Sequence, residues 1–96
     1  MNPKKVYLVD DHPVILFSYR MLIEVDSNLV VCGEAGNAEQ ALKDIKLLEP
    51  DIVVIDISLD DCDGYQLIRD VSSLSPSIPV LVASHYNKLH IIKPAF

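Results

Sequence analysis

The chain is short of glycine, of cysteine and of positive charge. Its 96 residues include three glycines, and no glycine-rich loop follows the first run of strand-like sequence, so a nucleotide-phosphate cradle is not supported. Its two cysteines, Cys32 and Cys62, lie far apart without metal-ligand spacing, which reads as reduced thiols rather than a disulfide or a zinc site. Eight basic residues stand against fourteen acidic ones, a net charge of −6, which argues against a nucleic-acid-binding surface. The one local basic pair, Lys4-Lys5, is too small to make such a surface. No apolar run approaches the ~20 residues of a membrane-spanning helix. The N-terminus leads into strand-like sequence with no signal-peptide pattern. These absences lead to the expectation of a cytoplasmic chain that contacts no membrane and binds no nucleic acid directly.

What is present is hydrophobic, 50% of the residues, in a length that fits one domain. The organising stretch is Pro50 to Leu59. Ile52 to Ile55 form a short apolar run, mostly β-branched, between a proline and an acidic loop. Such a run reads as a strand buried on both faces, the habit of parallel sheets. It ends in a carboxylate, Asp56. A second run, Val6 to Val9, within a strand read over Lys4 to Val9, ends the same way, in Asp10-Asp11. In open α/β sheets, chemistry collects at the carboxyl ends of strands. Two neighbouring parallel strands ending this way would gather three acids in one crevice. Close carboxylates repel unless a cation lies among them, and carboxylate oxygens with water suit Mg²⁺.

The remaining elements follow in rhythm. Pro13 suits the first turn of a helix over Val14 to about Val25, with Asp11 in the N-cap region. Ile15, Tyr19, Leu22 and Ile23 share one face of it; Leu16 and Phe17 lie off that stripe, as single exposed residues or as a second contact surface. Leu29 to Ala35 reads as a strand. Asn37 with Gln40 makes a capping-box pattern before a helix carrying Ala38, Ala41, Leu42, Ile45 and Leu48, which Pro50 ends. Asp60 to Gly64 reads as loop. Tyr65 to about Leu74 is helical, with Leu67, Val71 and Leu74 on one face, and Pro79 to Ser84 is a fourth strand. Alternating strands and helices call for an α/β fold, a parallel sheet with helices on both faces and right-handed crossovers. Leu89 to Ile92 breaks the rhythm. The four residues between it and Ser84 are too few for a parallel crossover, so a strand there pairs as a hairpin, with another chain, or not at all.

Together these stretches resemble the receiver domain of two-component response regulators, nearest the branch with a LuxR-type (NarL-type) effector. The resemblance runs from residue 1 to about 86. It is carried by Val9-Asp10-Asp11-His12-Pro13, Gly33 to Leu42, Pro50 to Asp56, Asp63-Gly64 and Pro79 to Ser84. It implies a flavodoxin-like (CheY-like) fold. It implies that Asp56 accepts a phosphoryl group from a sensor histidine kinase, and that Asp10, Asp11, Asp56 and the backbone carbonyl of Ser58 hold Mg²⁺. Ser84 would donate a hydrogen bond to the phosphoryl group. Lys93, followed by Pro94, has the family's lysine-proline dipeptide, but it lies nine residues after Ser84, where the family inserts a whole helix before its fifth strand. The last helix-strand-helix portion is therefore missing or altered, and residues 87–96 form an atypical tail. His12 reads as a structural part of its loop.

Three functions compete. The first is a phosphorylatable receiver and not an enzyme. The second is a non-switching receiver, a binding decoy or dimerising partner of a kinase or regulator, with a homodimer formed through an exposed edge at the fourth strand. The third, a Mg²⁺-dependent aspartyl phosphatase, lacks its acid-base carboxylate, because Ser58 stands at that place. A calcium loop built on Gly64 would start at Leu59, which has no oxygen to offer.

Overall fold

The alternation of side chains along the strands decides which helix each face receives. A computed structural model of the protein describes residues 2–57, 62–84 and 89–92, with side chains over 2–56 and 65–82. The elements are β1 (Lys4–Val9), α1 (Pro13–Ile23), β2 (Leu29–Ala35), α2 (Ala38–Leu48), β3 (Ile52–Ile57), α3 (Cys62–Leu74), β4 (Val80–Ser84) and β5 (Leu89–Ile92). They form one five-stranded sheet in the order β2-β1-β3-β4-β5. Successive residues of a strand point to opposite faces. Tyr7, Val9, Val53, Ile55, Val80 and Val82 go to one side, where Ala41 and Ile45 of α2 and Leu67, Ile68 and Val71 of α3 cover them. Val6, Leu8, Val31 and Val54 go to the other, beneath Leu16 of α1. Each such Val, Leu or Ile, once buried, contributes about 1.5–3 kcal/mol.

β1 to β4 are mutually parallel, as their continuous apolar runs demand. β5 is antiparallel to β4, pairing Val80 with Ile92 and Ala83 with Leu89. Of the three options left by the sequence, the hairpin is the one formed. The expected exposed edge at the fourth strand is therefore corrected: β5 caps β4 and is itself the edge.

Three local readings also change. On α1 the sheet-facing line is Leu16, Tyr19 and Ile23; Tyr19 and Ile23 face the sheet as expected, but Leu16, 8% exposed, is buried and Leu22, 73% exposed, is not. Two polar ties join the C-terminal end of the helix to β2. Arg20 Nη2 lies 3.1 Å from Glu34 Oε2, and the Val31 N–H donates to Glu24 Oε2 at 3.2 Å. On α2, Asn37 Oδ1 accepts from the Gln40 N–H as a capping box requires, but the Gln40 side chain donates to Asp44 instead of returning to the cap. α3 starts at Cys62 rather than Tyr65. A glycine costs a helix about 1 kcal/mol at most, so Gly64 does not bar helix there.

One glycine is fixed by packing. Between Val6 and Tyr7 the β1–β2 register skips Cys32, a bulge that sets Tyr7 against Gly33. Tyr7 is fully buried and its hydroxyl donates to Asp44 Oδ2 at 2.7 Å, tying β1 to α2. A Cβ on Gly33 would lie 2.9 Å from Tyr7 Cε1 and 3.1 Å from Leu48 Cδ1. Gly33→Ala is expected to cost about 1–3 kcal/mol by overpacking, read as a lower midpoint in urea unfolding.

Candidate functional site

The sheet order places the site. The chain leaves β1 toward β2 on one side and returns to β3 and β4 on the other, so the topological switch point lies between β1 and β3. Val9 pairs with Ile55, which sets Asp10 and Asp56 side by side just beyond, on adjacent strands. Asp56 pairs with Ala83, and Ile57 with Ser84, so the backbone of Ser84 ends β4 beside the same crevice. Asp56 lies inside β3, which continues to Ile57. Ser58 and Lys93 lie outside the described residues. Ile92, which precedes Lys93, pairs with Val80 at the other end of β4 from Ser84.

Asp10 is the one buried charged residue among those described, 4% exposed. Its Oδ1 accepts two hydrogen bonds from His12, at 2.8 Å from the backbone N–H and 2.9 Å from Nδ1. Its Oδ2 is buried with no hydrogen-bond partner among the described residues. His12 Nδ1 is also 2.8 Å from Oδ1 of the exposed Asp11, so the imidazole bridges two carboxylates. His12, not Asp11, is the N-cap residue of α1, and its side chain makes no capping bond. The ring is committed to the acids instead.

Asp10, Asp11 and His12 each offer a ligand atom within 4.8 Å of the others. Asp56 is half-buried, its Oδ1 closed off from solvent, and its Oδ2 lies 3.4 Å from the Tyr19 hydroxyl. Burial first, and then the Asp56 charge, push the Tyr19 hydroxyl up to about 12, so it keeps its proton at neutral pH. The buried Oδ2 of Asp10, without a hydrogen-bond partner among the described residues, is costly. That cost, and the all-oxygen character of Asp10, Asp11 and Asp56, fit a hard divalent cation such as Mg²⁺.

The His12 bridge has a pH signature. Its hydrogen bond to Asp10 and then the Asp11 charge raise the imidazole above its ordinary 6.5. Because the folded value is the higher one, the stabilisation is complete below 6.5 and is lost as pH rises through the raised value. In metal-free protein the unfolding midpoint is expected to fall as pH rises above 6.5. His12→Gln is expected to flatten that slope, read by thermal melts across the range.

Two contacts were beyond the sequence reading. Tyr19 was assigned to the helix core, and its contact with Asp56 joins residues 37 positions apart. The His12 bridge had a signal, since the imidazole directly follows two acids and precedes a helix-starting proline.

Sheet order and acid cluster together define a flavodoxin-like α/β domain with an acidic crevice at its switch point. The chain matches the family model for the response regulator receiver domain over residues 6–96, and it belongs to that family. It is 38% identical over 82 residues to the DNA-binding transcriptional activator DevR/DosR of Mycobacterium tuberculosis, covering 85% of this chain and 38% of that protein. Among solved structures, a LuxR-family two-component response regulator from Aurantimonas superposes with a TM-score of 0.78 at 31% identity, covering 86% of this chain and 59% of the other. RcsB from Salmonella enterica, bound to a promoter in the presence of the phosphomimetic BeF3−, gives 0.78 at 28% identity, covering 91% of this chain and 45% of that one. The chain thus spans about two fifths of the length of DevR/DosR. Receiver domains bind Mg²⁺ at an acidic pocket, and this chain carries a cluster of Asp10, Asp11 and His12. No helix among the described residues is long and apolar enough to cross a membrane.

Proposed function

We propose that this chain is a cytoplasmic phosphoacceptor, taking a phosphoryl group on Asp56 from the phosphohistidine of a sensor kinase. The observation that carries the reading is the register Val9↔Ile55, which sets buried Asp10 beside Asp56 at the switch point. In the transfer, an Asp56 oxygen forms a bond to phosphorus. The phosphorus–nitrogen bond breaks, and its electron pair stays with the imidazole of the kinase. Asp10, Asp11 and Asp56 would hold Mg²⁺, with the Ser58 carbonyl as a further ligand. When bound, the ion supplies the positive charge that lets an anionic phosphoryl group approach an anionic nucleophile. Ser84 would donate its hydroxyl to a phosphoryl oxygen. A phosphoryl contact for Lys93 is disfavoured, because β5 carries the chain away from Asp56 as it approaches that residue.

A surface for the partner lies beside the acids. Val14, Phe17 and Met21 follow the Asp10–His12 loop on α1 and are exposed, Phe17 at 63%. A continuous apolar stripe of this kind marks an interaction site rather than scattered single residues.

A second reading is a receiver that binds a kinase or regulator without switching. The antiparallel β5 favours it, since only four residues of sequence lie between β4 and β5. Beryllofluoride with Mg²⁺, titrated in and followed by amide NMR, separates the two readings. Saturable shifts around Asp56 and Ser84 support phosphoryl acceptance. A folded spectrum without response contradicts it and leaves the non-switching chain.

A further inference from the structure

Tyr19 sits on the sheet-facing line of α1, packed against the Val6, Leu8 and Val54 cluster. A tyrosine half-buried in an apolar setting needs a partner for its hydroxyl. Here that partner is Oδ2 of Asp56, at 3.4 Å. The contact is long for O–H···O, so its effect is modest, but it reaches the atom group where bonds would form and break. We propose that Tyr19 donates a hydrogen bond to the Asp56 carboxylate as it departs from phosphorus, and thereby shortens the lifetime of the phosphorylated chain. This rests on the reading of Asp56 as phosphoacceptor.

The step is hydrolysis. A water oxygen forms a bond to phosphorus, the bond from phosphorus to the Asp56 carboxyl oxygen breaks, and its electron pair returns to the carboxylate. The water protons leave with inorganic phosphate and bulk solvent. The aspartyl oxygens carry no net charge in the acyl phosphate and a full negative charge at the end. Phosphoryl transfer runs through a loose transition state, so much of that charge has already developed at the top of the barrier. A donor aimed at developing charge lowers that barrier more than it stabilises the neutral acyl group. Both carboxylate oxygens share the charge, so the donor acts whichever oxygen held phosphorus. Tyr19 donates from a rigid helix, and its hydroxyl is protonated at the pH of the reaction. The same bond lowers the energy of the free carboxylate, so it does not speed phosphoryl uptake.

Tyr19→Phe removes only the hydroxyl and keeps the ring against the sheet. With acetyl phosphate and Mg²⁺, the variant is expected to take up phosphoryl at the wild-type rate or slightly faster. It is expected to lose it about fivefold more slowly, ~1 kcal/mol at 1.36 kcal/mol per tenfold. A merely structural role would slow uptake or leave both rates unchanged, so the split between uptake and decay is the signature. A second readout needs no phosphoryl group. In metal-free protein the ring ¹³Cζ resonance of Tyr19 is expected to shift on Asp56→Asn. Equal lifetimes, or faster loss in Tyr19→Phe, overturn the proposal; so does a Tyr19 resonance indifferent to Asp56→Asn. If wild-type protein takes up no acid-labile phosphate, the phosphoacceptor reading fails and the lifetime role falls with it. The Tyr19 resonance then shows separately that the contact itself exists.

Discussion

Asp56→Asn is expected to lower phosphoryl uptake by roughly a thousandfold or more, the scale of loss when a covalent nucleophile is removed. It is expected to do so in a protein that is still folded. Asparagine is isosteric with aspartate, and β3 is held by its neighbours Val53 and Ile55, both within the larger core. The amide has no charge to offer phosphorus or a cation. Without metal, the variant is expected to be more stable than wild type by about 1 kcal/mol, because it removes one of three acids gathered at the switch point and so relieves their repulsion. The measurements are phosphoryl uptake from acetyl phosphate and urea unfolding in the absence of Mg²⁺. Lower uptake with higher stability is a combination that a general disturbance of the fold does not produce.

Asp10→Asn is the second large effect, and its sign depends on Mg²⁺. The Asp10 carboxylate is buried, with Oδ2 lacking a hydrogen-bond partner among the described residues. Burying such a group without compensation costs about 1–3 kcal/mol, more when it is charged. Asparagine keeps an oxygen for the two His12 contacts and gives up the charge. Metal-free Asp10→Asn is therefore expected to gain about 1–3 kcal/mol of stability. Its Mg²⁺ affinity is expected to fall roughly a hundredfold, at or beyond the upper end of what outer-shell changes cost a metal site. In wild type, added Mg²⁺ raises the unfolding free energy as its concentration passes the dissociation constant; in Asp10→Asn that rise is expected only at far higher concentration. Paired urea titrations with and without Mg²⁺ read both terms.

Much of the architecture was legible because the strands are buried on both faces. Val6 to Val9 and Ile52 to Ile55 have no polar residue to confuse the period, and each ends in acid. That placed Asp10 and Asp56 together before any coordinates, and the register Val9↔Ile55 has them adjacent. The helices were legible to within a turn, and Tyr19 and Ile23 were placed on the sheet side of α1, but Leu16 was not. Leu16 rather than Leu22 meets the Val6, Leu8 and Val54 cluster, a tertiary contact that no local periodicity carries. The last strand was legible as a strand without a direction. Chain length excluded a parallel crossover, and only the pairing of Leu89 with Ala83 selects the hairpin. Tyr19 shows a further kind of miss. Its ring fits the apolar stripe, which concealed that its hydroxyl reaches Asp56 on β3.

The central claim is that Asp56 is the phosphoacceptor, and chemical mapping tests it most directly. The protein is incubated with acetyl phosphate and Mg²⁺, the acyl phosphate is reduced with borohydride, and the peptides are sequenced by mass spectrometry. The account predicts a single reduced aspartyl position, residue 56, whose yield drops to background in Asp56→Asn. Reduction at any other carboxylate, or no Mg²⁺-dependent reduction in a folded protein, would contradict it.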